Sequence, residues 1–200
     1  MFYFLESLDI KILFWINQSL SNPVFDFIMP ILTNENYWAI PLIWLIVFLV
    51  FFQGKRGRIA IVILIVAVAV TDSVSAFILK PYFERIRPSY DLVEYVNLLV
   101  AKGGKWGMPS NHAANIFALA VVLSCFYDKM KVPLFSLAVV IAFSRVYVGV
   151  HYPADVLVGG LFGYGMAWLV LTLWVILKMR ELKRGQTWVW YEDEHLEKIN

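Results

Sequence analysis

The sequence lacks most of the features that mark a soluble, disulfide-bonded or metal-binding protein. Its 200 residues include one cysteine, Cys125, which excludes an internal disulfide framework and a cysteine metal site. Only 16% of the residues are charged, and the net charge of +2 is too small to indicate a nucleic-acid partner. We find no repeat, no glycine-rich phosphate loop and no metal-ligand cluster of recognised spacing, so we expect neither a metal nor another cofactor. Residues 1–20 lack a basic start and a small-residue cleavage site, which argues against a removable signal peptide.

Apolar residues are what the chain has in abundance. They make up 60% of the sequence, and the mean hydropathy of +0.69 is too high for an ordinary soluble domain of this size. We therefore predict an all-α, polytopic integral membrane bundle that forms a single domain over residues 1–200. A helix needs about 20 apolar residues to cross the bilayer core. Five segments are predicted to cross: 37–53, 58–79, 112–127, 132–147 and 155–177.

The residues before the first predicted span are less uniformly apolar. In residues 1–20, large apolar side chains are interrupted by charged and amide side chains, which favours an amphipathic helix at the membrane surface. Residues 23–32 are apolar but short and contain two prolines and an aspartate, so we predict a second interfacial or re-entrant piece. Residues 1–36 are thus expected to be interfacial, 37–177 to form the transmembrane core, and 178–200 to form a tail.

Basic residues in the connections orient the predicted bundle. With five spans, three basic groups fall on one side of the membrane, and an excess of Lys and Arg marks the cytoplasmic side. We therefore predict a multi-pass protein of the cell (inner) membrane with a cytoplasmic C-terminus, and residues 80–111 and 148–154 at the outer, periplasmic face. In the tail, Trp188, Trp190 and Tyr191 are expected to anchor at the inner interface and His195 to be solvated. The three basic groups are Lys55, Arg56 and Arg58; Lys129 and Lys131; and Lys178, Arg180, Lys183 and Arg184.

Polar motifs recur at three places on the predicted outer face, each at the end of an apolar segment. The first runs from Lys80 to Pro88 and reads Lys-x6-Arg-Pro; the second is Pro-Ser-Asn-His over 109–112. The third, over 144–155, reads Ser-Arg-x5-His-x3-Asp. Ionisable residues between apolar segments are costly unless water or a ligand reaches them. We therefore expect the three motifs to form one site.

In this order and spacing, the motifs resemble those of the type-2 phosphatidic acid phosphatase superfamily, membrane lipid phosphatases that share a catalytic core with vanadium haloperoxidases. The resemblance covers Lys80 to Asp155. One position departs from the family pattern, because Asn111 stands where the second motif commonly has glycine. Its side chain is expected to narrow the space for the headgroup.

The resemblance implies a set of phosphate-binding residues. Lys80, Arg87 and Arg145 are expected to surround the phosphate oxygens with positive charge. Ser110 and Asn111 are expected to add a hydroxyl and backbone N–H groups at the start of a helix, where an anion is also favoured by the helix dipole.

The resemblance also implies three catalytic residues. His151 is expected to be the nucleophile that forms a covalent phosphohistidine, with Asp155 as its orienter, and His112 to protonate the departing lipid oxygen. The reaction requires no metal. Arg85 lies between motif positions and is interpreted as a contact to the headgroup.

The implied function is hydrolysis of a phosphate or diphosphate on a lipid of the outer leaflet, of the lipid A 1-phosphate or undecaprenyl diphosphate type. The expected partners are that lipid and the bilayer. Three alternatives stay open: a phosphatidylglycerol phosphate or phosphatidic acid phosphatase, a lipid phosphotransferase, and a non-catalytic lipid-binding or translocating membrane protein.

Two features inside predicted spans have structural interpretations. Gly159 and Gly163 form a Gly-x3-Gly pair, which favours close helix packing over chemistry. Asp72 lies about two turns before Lys80, and an intramembrane carboxylate either acts in the site or anchors a neighbouring helix by hydrogen bonds.

Overall fold

The computed structural model describes residues 2–189, with side chains from residue 6 onward, and this part of the chain is built from helices with no β-strand. The predicted all-α class is confirmed. The predicted tail residues Trp190, Tyr191 and His195 lie outside the described residues. The helices are α1 (Phe2–Phe14), α2 (Pro23–Thr33), α3 (Glu35–Phe52), α4 (Gly54–Val74), α5 (Lys80–Phe83), α6 (Pro88–Asp91), α7 (Asn111–Phe126), α8 (Lys131–Tyr147) and α9 (Pro153–Lys183). The π-helical turns Trp15–Ser19 and Ser75–Leu79 continue α1 and α4, and the 3-10 turn Asp128–Met130 leads into α8.

Four helical segments of the described chain are long and apolar enough to cross a bilayer, by length and composition. They are Glu35–Phe52, Gly54–Phe83, Asp128–Tyr147 and Pro153–Lys183, and they correspond to four of the five predicted spans. The remaining prediction, over 112–127, corresponds to α7, which has 16 residues. At 1.5 Å per residue α7 is about 24 Å long, which is shorter than the bilayer core.

The short helix α7 lies in the middle of the bundle, packed against α4, α8 and α9. Near one end of α7, Ser75 Oγ donates a hydrogen bond of 2.7 Å to Asn111 Oδ1. At the other end, Arg56 Nη2 donates to the carbonyl of Phe126. α7 therefore runs antiparallel to α4 over the depth between Arg56 and Ser75. Its four alanines are fully buried: Ala113, Ala114, Ala118 and Ala120.

Glycines let α9 approach α7 closely. A Cβ atom added at Gly163 would lie 1.9 Å from the carbonyl oxygen of Ala114, and one at Gly159 would lie 2.5 Å from that of Ser110. No side chain can be accommodated at these distances without a backbone shift, so both positions require glycine. The predicted packing role of the pair is confirmed.

The N-terminal segment forms two helices, as predicted. Asn22 caps α2, because its Oδ1 accepts hydrogen bonds from the N–H groups of Val24 and Phe25 at 3.1 and 3.0 Å. Leu13 and Met29 are buried in a core cluster with residues of α7, α8 and α9. The two helices therefore pack onto the bundle, and their position at the membrane surface stays a prediction.

The glycine contact predicts a specific stability effect. Gly163→Ala places a methyl group against the Ala114 carbonyl, and we expect it to destabilise the protein by about 1–3 kcal/mol through overpacking. The measurement is thermal unfolding in detergent. Gly165→Ala on the same helix is the matched control, because a Cβ there has no heavy atom within 4 Å. Equal unfolding temperatures for the two variants would contradict the close α7–α9 contact.

Candidate active site

The three motifs meet at one end of the helical core. Lys80 follows the π-helical turn that continues α4, His112 lies in the first turn of α7, and Arg145 lies in the last turn of α8. His151 lies in the connection between α8 and α9. Four side chains act on its imidazole electrostatically: Arg87, Arg145, Lys80 and His112. The structure thus brings the predicted histidines and cations together.

His151 and Asp155 form a buried pair. Pro153 begins α9, as expected for a residue whose ring suits the first helical position, and this places Asp155 in the first turn. The Nδ1 atom of His151 lies 3.3 Å from Asp155 Oδ2, which also accepts the N–H of Tyr152 at 3.1 Å. Both side chains are at most 1% exposed. The carboxylate can therefore hold a proton on Nδ1 and leave the other ring nitrogen as the free base.

The surroundings of His151 keep its imidazole neutral. Burial lowers the pKa of His151 well below its ordinary value of 6.5, and the positive charges of Arg87, Arg145 and Lys80 lower it further. A neutral ring retains the lone pair that a nucleophile requires.

The two arginines of the motifs are held by groups from distant parts of the chain. Arg145 is 8% exposed, and its Nη1 donates to Thr33 Oγ1 at 2.6 Å, while its Nε has no hydrogen-bond partner within the described residues. Arg87 is 7% exposed, and its Nε donates to the carbonyl of Trp106 at 3.0 Å. Burial lowers the pKa of Arg87, but an arginine stays charged at neutral pH. Two buried cations, one of which has a nitrogen without a hydrogen-bond partner among the described residues, favour an anion at this place.

Ser110 and Asn111 differ in part from the prediction. The N–H of Ser110 donates to the backbone carbonyl of Asp155 at 3.0 Å, so this N–H is not free for an anion. The hydroxyl of Ser110 is buried and has no hydrogen-bond partner in the described part of the chain, which leaves it available to a ligand. The Asn111 amide donates to Asp72 Oδ1 at 2.8 Å and accepts from Ser75, so α4 holds this side chain. Asn111 still lines the cavity described below.

Asp72 anchors α7 to α4. Its Oδ1 accepts hydrogen bonds from Asn111 Nδ2 and, at 3.0 Å, from Asn115 Nδ2. Of the two interpretations of this intramembrane carboxylate, the structure shows the anchoring one.

Arg85 differs most from its interpretation as a headgroup contact. Its Nη1 donates to Asp155 Oδ1 at 2.9 Å, and its Nη2 donates to the carboxylate of Asp9. The guanidinium carbon lies 4.3 Å from the ring centre of Tyr152. Both terminal nitrogens of Arg85 thus donate to buried carboxylates, and one of these carboxylates is Asp155, the partner of His151.

An apolar cavity of about 750 Å³ leads to the cationic end. Side chains of α3, α4 and α7 line its apolar part, for example Leu42, Val68 and Leu119. Lys80 and His112 lie at its polar part, with Arg87, Asn111, Asp72 and Glu35. The cavity therefore suits a molecule with an anionic group at one end and a hydrocarbon chain at the other.

Sequence reasoning missed Asp9 and Thr33. Both lie in the segment predicted to be interfacial, and both are buried, at 7% and 3% exposure. The sequence carried one signal for Asp9, namely a carboxylate within an apolar helix. For Thr33 we find no signal, because a threonine near a helix end is unremarkable.

The chain is similar to several membrane phosphatases in sequence and in fold. The lipid A 4'-phosphatase of Bacteroides thetaiotaomicron is 31% identical over 179 residues, which cover 84% of this chain and 78% of that protein. The putative undecaprenyl-diphosphatase YbjG of Escherichia coli is 33% identical over 129 residues, 62% of this chain and 64% of that protein. The crystal structure of Aquifex aeolicus LpxE superposes with a TM-score of 0.64 at 30% identity and covers 82% of this chain and 95% of that one.

A family model described as the PAP2 superfamily matches residues 57–178, which contain all three motifs. The predicted resemblance is confirmed, and the chain belongs to the PAP2 superfamily as a multi-pass membrane phosphatase.

Proposed function

We propose that this protein hydrolyses a phosphate or diphosphate on a lipid, of the lipid A or undecaprenyl diphosphate type, at the outer face of the cell membrane. The observation that carries the proposal is the cavity, which joins an apolar part to Lys80, Arg87 and His112. These three side chains, with Arg145, also act electrostatically on the buried imidazole of His151. The names of the relatives support these two lipid classes. The lipid keeps its hydrocarbon chain against α3 and α4 and presents its phosphate to His151.

In the first step, the ring nitrogen of His151 that faces away from Asp155 attacks phosphorus. The P–N bond forms while the bond between phosphorus and the lipid oxygen breaks, and His112 gives its proton to that oxygen. Asp155 stabilises the positive charge that develops on the His151 ring, because its Oδ2 lies 3.3 Å from Nδ1.

In the second step, water hydrolyses the phosphohistidine. His112, now neutral, takes a proton from the attacking water, the P–N bond breaks, and inorganic phosphate leaves. His112 thereby regains the proton that it gave to the lipid oxygen in the first step.

Three cations stabilise the charge on the phosphoryl oxygens in both steps. Arg87 and Arg145 are held by hydrogen bonds before the substrate arrives, so little reorganisation of them is needed in the transition state. Lys80 adds the third positive charge. These charges fill the role that a metal ion plays in other phosphatases. We propose that the reaction is metal-independent.

Phosphate release from a lipid panel in detergent tests the function. We expect release from lipid A or undecaprenyl diphosphate, equal rates with and without chelator, and a phosphoenzyme that can be trapped from labelled substrate.

His151→Ala should abolish phosphoenzyme and release, since the nucleophile is lost, and His112→Ala should slow release because the lipid oxygen leaves unprotonated.

Each alternative gives a different result in the same assay. A second phosphorylated lipid with little free phosphate, seen by mass spectrometry, indicates a phosphotransferase. Preference for phosphatidylglycerol phosphate or phosphatidic acid indicates those substrates. A folded wild-type protein that forms no phosphoenzyme indicates a non-catalytic protein, and a fully active His151→Ala variant contradicts the assigned nucleophile.

The cavity predicts that its apolar part binds the hydrocarbon chain. Ala69 lines the cavity, and Ala69→Phe fills its apolar part. We expect this variant to reduce kcat/KM for the lipid by about tenfold, whereas hydrolysis of soluble 4-nitrophenyl phosphate continues. Val66→Phe is the control, since Val66 is exposed on the same helix and does not line the cavity. Equal losses for both compounds in Ala69→Phe would show that the groove is not the chain-binding part.

The lowered pKa of His151 predicts a pH dependence of stability. The folded protein keeps His151 neutral, whereas the unfolded chain binds a proton below about pH 6.5, so stability is present above this pH and is lost as pH falls. One pH unit below about pH 6.5, the free energy of unfolding is lower by about 1.4 kcal/mol. Thermal unfolding between pH 7.5 and 5.5 measures it, with His151→Gln as reference. If the difference between the wild type and this variant does not change with pH, His151 is not buried as a neutral ring.

A further inference from the structure

A carboxylate from the N-terminal helix lies next to the candidate active site. Asp9 Oδ1 accepts the N–H of Ala154 at 2.9 Å, and Asp9 Oδ2 accepts a hydrogen bond from Arg85 Nη2. Ala154 precedes Asp155 in the first turn of α9. The Asp9 side chain, in α1, therefore contacts two groups that flank Asp155.

These contacts connect Asp9 to the imidazole of His151. Arg85 Nη1 donates to Asp155 Oδ1 at 2.9 Å, and Asp155 Oδ2 lies 3.3 Å from His151 Nδ1. Asp9, Arg85 and Asp155 thus alternate in charge up to the imidazole, and each pair is partly or fully buried. Buried charged contacts of this kind are well oriented and are costly to break singly.

The far end of the same N-terminal segment is also fixed. Asn17, in the π-helical turn that continues α1, is 1% exposed. Its Nδ2 donates to the carbonyls of Tyr147 and Asn97 at 2.7 and 2.9 Å, and its Oδ1 accepts the N–H of Asn97 at 2.8 Å. Since Tyr147 ends α8, two residues after Arg145, the N-terminal segment is held at two points, Asp9 and Asn17, by the region that carries the site.

We propose that Asp9 is a positioning residue for the nucleophile. By holding Arg85 and the first turn of α9, Asp9 sets the position of Asp155, and Asp155 sets the tautomer and direction of the His151 ring. Without the Asp9 charge, Arg85 keeps Asp155 as its remaining carboxylate partner and draws it away from Nδ1. This inference rests on the proposed function and adds a segment of the chain, α1, that lies before the matched family region.

The test compares Asp9→Asn with Asp9→Glu, and Glu6→Gln serves as control because Glu6 is exposed on the same helix. Each variant is assayed on the lipid substrate and on 4-nitrophenyl phosphate, whose leaving group needs no proton. We expect Asp9→Asn to lower kcat and the rate of phosphoenzyme formation about 10- to 100-fold on both compounds with KM unchanged, because a small displacement of a reacting group has effects of this size. Asp9→Glu keeps the charge and should recover most of the rate, and Glu6→Gln should behave as wild type.

A double variant tests the route through Arg85. If Asp9 acts through Arg85, Asp9→Asn should cause little further loss in an Arg85→Gln background, since coupled residues are not additive. Additive losses in this cycle, an Asp9→Asn protein as active as Glu6→Gln, or a loss confined to KM would each overturn the proposal. If Asp9→Asn does not fold in detergent, Asp9→Glu decides. A folded Asp9→Glu protein with a loss of about 10- to 100-fold overturns the proposal, and one that keeps most of the wild-type rate supports it. A wild-type protein that releases no phosphate from either compound and forms no phosphoenzyme overturns the proposed function, and this inference with it.

Discussion

Positive charge crowded around one buried imidazole is the constraint on which the rest of the structure depends. Arg87 and Arg145 are each more than nine-tenths buried, and together with Lys80 they act on His151. Buried like charges are unfavourable unless hydrogen bonds or a counter-ion compensate them. Thr33 and the Trp106 carbonyl compensate part of the charge. A bound phosphate group would compensate the remainder, so these charges would favour binding of the proposed substrate.

Close helix packing determines where the two histidines lie. His112 lies in the first turn of α7 and His151 precedes α9, so their separation depends on how closely these helices approach. Gly159 and Gly163 allow backbone contact, and the hydrogen bond from the Ser110 N–H to the Asp155 carbonyl joins the starts of the two helices. The glycines take no part in the proposed chemistry, yet they bring the starts of α7 and α9 close together, and with them the proposed acid and the proposed nucleophile.

A second layer of residues comes from the N-terminal segment. Thr33 holds Arg145, and Asp9 holds Arg85 and the first turn of α9. These contacts explain why a segment without motif residues is packed so firmly onto the core. In the proposed mechanism, the first two helices provide orientation, whereas the helices of the core provide the reacting groups and the groove for the lipid.

The amino-acid sequence by itself determined the membrane class, the helical segments and the chemistry of the three motifs, because these depend on composition and on residues close together in the chain. Pro153, for example, begins α9, and Asp155 lies two residues later in the same turn. Only the tertiary structure decided that Arg85 pairs with Asp9 and Asp155, that Asn111 turns towards Asp72, and that α7 can be short. Arg85 is separated by 76 and 70 residues from its two carboxylate partners, so the pairing depends on how distant helices pack. Likewise, α7 packs against α4, α8 and α9 and does not need the length of a lipid-facing span. No local pattern within its 16 residues shows that other helices surround it.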